Sequence, residues 1–142
     1  MADWTSSVRS YLRSQLLTIT GLPAVAYEGR PYTPVVGTSW IREQLFPIDA
    51  PIETWGSDGY VRESFHYRLT LFSPIGGRLT DHENMLDTIR ALFHPGEEIR
   101  DAQSRYSGTV VEARRGMNIT EPDWISATVT IDGYIHRATR AA

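Results

Sequence analysis

The stretch from Val61 to Phe93 constrains the fold most, because it reads strand, glycine turn and helix in immediate succession. Odd positions carry Val61, Phe65, Tyr67, Leu69 and Leu71, and even positions carry Arg62, Ser64, His66, Arg68 and Thr70. This period of two predicts a half-buried strand with one face for a core and one for water or a partner. Pro74 has no amide for a ladder, and Gly76 with Gly77 opens backbone conformations that other residues avoid, so Ser73 to Gly77 ends the strand. Thr80 followed by Glu83 fits a capping box, after which Met85, Leu86, Ile89, Leu92 and Phe93 recur at helical spacing. His94-Pro95-Gly96 stops that helix.

Upstream, Asp3 is placed to cap a helix carrying Trp4, Val8, Leu12, Leu16 and Ile19, with Gly21 at its C′ position and Pro23 beyond. Ala24 to Glu28 reads as a short strand, and Gly29 to Gly37, with two prolines, as an irregular extended segment. A second strand is predicted over Thr38 to Phe46, ended by Pro47, with Ile41 and Leu45 on one face and Trp40, Arg42, Gln44 and Phe46 on the other. Pro47 to Gly59, containing Trp55, exceeds the length beyond which structureless loops are uncommon unless functional. Glu97 to Arg105 reads as loop and Tyr106 to Arg115 as a strand, and Gly116 to Asp123 is an irregular link. Ile125, Ala127, Val129, Ile131 and Ile135 define a final strand in which Gly133 marks a bulge or bend. The expectation is an α+β domain over 1–142, with a mainly antiparallel sheet of about five strands and two helices on one face.

Function classes are narrowed by what the chain lacks. No cysteine is present, which removes disulfides, thiolate nucleophiles and Cys-based zinc sites. No apolar run approaches a membrane span and no secretory h-region opens the chain, so a cytoplasmic protein is expected. A formal charge of −3, from 17 acids and 14 bases, argues against a dedicated nucleic-acid binder. Every base is Arg, which a GC-rich genome explains and which also suits subunit contacts.

His82 with Asp81, Glu83 and Asp87 is the one cluster with metal or acid/base potential, but it lacks zinc-site spacing, and acids in the first turn of a helix are expected from its dipole. No nucleophile elbow, Walker loop or dinucleotide fingerprint occurs. Gly76-Gly77 is read as a structural turn, because no lysine stands near and Asp81 and Glu83 would repel an anion. No catalytic residue, metal or cofactor is therefore expected. Arg114 and Arg115 beside Met117 and Trp124 match the composition of protein interfaces.

The ordered motifs say more together. Leu17-Thr18-Ile19-Thr20-Gly21-Leu22-Pro23 leads into Ala24-Val25-Ala26-Tyr27, then Arg30-Pro31-Tyr32-Thr33-Pro34, Gly37-Thr38-Ser39-Trp40-Ile41-Arg42 and Leu45-Phe46-Pro47. Tyr67 to Pro74, Gly76-Gly77 and a helix ending Leu92-Phe93-His94-Pro95-Gly96 follow. This succession resembles the tail terminator-like proteins of long-tailed bacteriophages and prophages. The resemblance implies a virion protein, assembled in the host cytoplasm, that forms a hexameric ring, caps the tail tube, stops its polymerisation and presents the head-attachment surface. Implied partners are further copies of the chain, the major tail tube protein and a head-neck connector; DNA only passes through the ring, and no membrane is involved. Trp40, Arg42, Phe46, Trp55, Tyr60, Arg62, His66, Arg68, Arg114, Arg115, Met117 and Trp124 are the candidate subunit or tube contacts. The alternatives are a head-completion or neck adaptor, a small enzyme built on His82, Glu83 and Asp87, and a host-facing binding module.

Overall fold

The computed structural model describes residues 4–48, 60–100 and 107–138, the side chains of 60, 61, 137 and 138 excepted. Trp55, Asp3, most of the Pro47 to Gly59 segment and the Tyr60 side chain therefore lie outside the described residues. Nine elements follow in order: α1 (Trp4–Leu16), β1 (Ala24–Ala26), β2 (Trp40–Ile48), β3 (Tyr60–Pro74), α2 (Leu79–Leu92), β4 (Glu98–Arg100), β5 (Ser107–Arg115), β6 (Ile119–Thr120) and β7 (Trp124–Ala138).

The fold is α+β, as expected, but its sheet is mixed and has seven strands, in the order β1-β2-β3-β7-β5-β4 with β6 also on β7. The strand read first in the sequence is central: β3 pairs with β7 along its whole length, from Tyr60↔Ala138 to Pro74↔Trp124. Phe65, Tyr67, Leu69 and Leu71 are fully buried, as the period of two requires, and Val129, Ile131 and Ile135 join them from β7. Val8, Leu12 and Leu16 of α1 and Leu86 and Ile89 of α2 complete one core on the same side of the sheet. Side chains of this size each contribute about 1.5–3 kcal/mol when fully buried, so packing rather than helix propensity holds both helices.

Several local expectations are corrected. The first helix ends at Leu16 instead of running to Gly21, because Thr18 and Ile19 make tighter i to i−3 bonds to Gln15 and Leu16, and the Thr18 hydroxyl also takes the Gln15 carbonyl at 2.6 Å. The second helix has Arg78 at its N-cap and no side-chain cap bond, so Thr80 and Glu83 form no capping box. β1 lies parallel to β2, since residues 27–39 give the crossover of about a dozen residues that a parallel pair needs. β2 continues through Pro47 to Ile48. Beyond Arg42 its outer edge has no partner strand among the described residues: the Leu45 amide is taken by Glu28 Oε1 at 3.2 Å, and Pro47, two residues on, faces the same edge where no amide is needed. Glu98–Arg100, expected as loop, adds a strand to β5 with Ile99 buried.

Gly133 marks no break in the β3–β7 register. Its missing side chain instead admits Phe65, whose Cζ would lie 2.7 Å from any Cβ there. The bulge sits in β5 between Val110 and Glu112, leaving Val111 half exposed.

A carboxylate is buried on the core face of β2, where sequence reasoning saw only apolar neighbours. Glu43 stands between Ile41 and Leu45 on the core face of β2, 1% exposed. Arg13 of α1 reaches both its oxygens at 2.7 and 2.5 Å, the Tyr67 hydroxyl donates to Oε2, and the Glu28 amide donates to Oε1 at 3.3 Å. Burial alone would raise the Glu43 pKa, but these donors outweigh it and hold the carboxyl below its usual value. The Tyr67 phenol is pushed up by burial and by that carboxylate.

Candidate assembly interface

Among the described residues, no helix lies over the side of the sheet opposite α1 and α2. Alternation places Trp40, Arg42, Gln44 and Phe46 of β2 on it, beside Arg62, Ser64, His66, Arg68, Thr70 and Phe72 of β3. From β7 and β5 it receives Thr128, Thr130, Asp132, Tyr134 and His136, with Glu112 and Arg114. Four arginines thus share this face with two acids.

Three of the arginines lie over aromatic rings. Arg42 lies 5.5 Å from the Phe72 ring centre, Arg62 4.9 Å from Tyr134 and Arg68 4.8 Å from Phe46. A guanidinium over a ring gains a cation–π attraction, and its planar fork suits contact with carboxylates. Asp132 accepts from Arg114 at 3.0 and 3.2 Å and pairs with His66 Nδ1, so a polar row crosses β3, β7 and β5.

At the end of the face nearest the start of β2, the aromatics are consumed within the chain. Trp40 stacks on Phe72 at 4.2 Å and on Tyr32 at 5.3 Å, and Trp124 meets it edge-on at 6.3 Å. Tyr32 belongs to the segment between β1 and β2, which folds back as a strap over this end. Trp40 Nε1 is buried there without a hydrogen-bond partner among the described residues. Phe46, 37% exposed, remains open at the other end of β2.

Arg114 and Arg115 do not act together. Arg114 faces the open sheet side, whereas Arg115 turns to the helices and bonds Asp87 and Glu83 of α2 at 3.3 and 3.4 Å. Met117, just beyond, is 82% exposed.

His82 is separated from its acidic neighbours. It is 3% exposed, with Nδ1 2.6 Å from Ser73 Oγ and Nε2 3.2 Å from Asn118 Oδ1. In the neutral ring with its proton on Nε2, the Asn118 oxygen accepts from Nε2 and Nδ1 accepts from the Ser73 hydroxyl. Burial lowers its pKa and Arg115 adds to the lowering, while the Asn118 bond acts in the opposite direction. Among the described residues no group of three metal-ligating side chains forms. His82 works as a tie between β3, α2 and the segment before β6. Beside it, Ser39, Leu71, Pro74, Leu79, Met85 and Ile125 line a cleft of about 520 Å³.

Comparison with known proteins agrees with this shape. A family model described as phage tail terminator protein matches residues 5–132. A solved structure is similar over 97% of this chain and 96% of its own, with a TM-score of 0.67 and 16% identity, a likeness of fold alone. No curated protein matches. No helix is long and apolar enough to cross a membrane.

Proposed function

The chain belongs to the phage tail terminator family, and from that premise we propose that it caps the growing tail tube as a hexameric ring, halts polymerisation and presents the surface on which the filled head docks. Membership by itself makes it a structural component of a phage tail. The ring is the finer reading, and the open sheet face carries it. Four arginines and an exposed Phe46 on one uncovered face are what a subunit contact uses, with aromatic and Arg side chains at the centre and charge pairs for register. Neighbours in a ring meet through two different surfaces, and this face supplies one of them. In this reading the tail tube protein and a head-neck connector are the axial partners, and DNA passes through without being held.

The experiment is direct. Purified tail tubes polymerised with the protein should stop at a defined end that carries a ring, and tubes without it should continue to grow. Continued growth in its presence, with no ring on tube ends, removes the terminator reading and leaves the neck adaptor to be tested on isolated heads.

A further inference from the structure

A contact between ring neighbours needs a second, different surface on each subunit, and the end of the sheet beside α2 has the features of one. Val36, Ile75, Leu79 and Met117 are 72%, 48%, 48% and 82% exposed. They come from three separate segments. Ser39 and residues 73–79 line the same cleft, Asn118 bonds His82 within that cleft's wall, and the Ile75 amide donates to the Asp123 carbonyl at 3.3 Å. The result is an apolar rim around a cleft. Large side chains left open in a cluster mark interaction sites far more than scattered ones do.

Charge identifies the occupant. Exposed Asp81, Glu121 and Asp123 surround the rim and make no side-chain ion pair among the described residues, and Arg78 stands against them. The open sheet face has the opposite balance, Arg42, Arg62, Arg68 and Arg114 against Glu112 and Asp132. The rim lies off the strand ends next to α2, while the face is on the side of the sheet away from both helices, so one chain cannot join its own two surfaces.

We propose that this acidic, apolar rim seats on the arginine-bearing sheet face of a second copy of the chain, which makes the subunit contact heterologous. The proposal rests on the ring reading above and adds which surfaces meet. It also gives the buried His82 a purpose, since its bonds to Ser73 and Asn118 hold two of the three rim segments together.

Reciprocal charge reversal tests it. Arg68→Glu on the face, and Glu121→Arg with Asp123→Arg on the rim, should each raise the concentration at which rings form by more than about tenfold, because like charges placed together at an interface are strongly unfavourable. All three changes in one chain should restore assembly, and Met117→Asp should abolish it. Arg42→Glu and Ile75→Asp repeat the test at independent exposed positions. Assembly is read by sedimentation, or by rings on tail tubes where rings form only there. Rim variants that assemble like the wild type, or a triple variant that stays defective, overturn the proposed contact and leave the ring intact. A wild-type protein that is monomeric both alone and on tubes overturns the ring and this contact with it.

Discussion

Arg13 and Glu43 form a two-pronged ion pair, at 2.7 and 2.5 Å, that joins the first helix to a fully buried carboxylate under the second strand. Removing one partner leaves an uncompensated buried charge, which costs about 3–5 kcal/mol. Arg13→Ala should therefore lower the urea midpoint markedly with an unchanged slope. Glu43→Gln, which keeps the shape and can still accept from Tyr67, should cost less.

The same pair sets an acid dependence. The folded state holds Glu43 below its ordinary carboxylate value, so the stabilisation is complete above the unfolded pKa of about 4.3 and is lost as pH falls through the folded value. Unfolding free energy measured across this range should fall more steeply for wild type than for Glu43→Gln. Equal slopes would mean that the carboxylate is solvated.

His82 acts in a higher window. Its folded pKa is lowered, so the neutral ring stabilises fully above the unfolded value of about 6.5 and the contribution is lost as pH falls below it. His82→Gln should flatten the stability profile between about pH 6.5 and its lower limit. It should also loosen residues 117–119, detectable as faster amide exchange there than in β7.

Gly133 is the place where Phe65 meets the backbone of β7. Gly133→Ala should destabilise by about 1–3 kcal/mol through overpacking, and adding Phe65→Leu should recover part of the loss. A neutral single substitution would show that the ring moves aside freely.

Elements that bury one regular face were legible in the sequence. β3, β7 and the apolar stripes of both helices follow from period alone, because each buries residues at fixed intervals against one core. The missed features depend on partners distant in sequence. Parallel β1 needs β2, while β4 is too short, at three residues, to show a period of its own. Pro47 is tolerated only because β2 has an open edge there. Glu43 occupied a position that alternation assigns to the core, and that position was itself the signal that a cation must meet it. Arg114 and Arg115, with Met117 and Trp124, read as one interface cluster because they are close in sequence, yet adjacency in a strand places the two arginines on opposite sides. The arginine-bearing face was foreseen as a row of even positions on β3, but its acidic counterpart around α2 exists only once three segments are brought together.

The most direct measurement is electron microscopy of tail tubes grown with and without the protein. Tubes grown with it should end in a single ring of its subunits and stop lengthening, and Arg68→Glu should leave the ends bare. Tubes that lengthen equally in both samples, with no added density at their ends, would contradict the account.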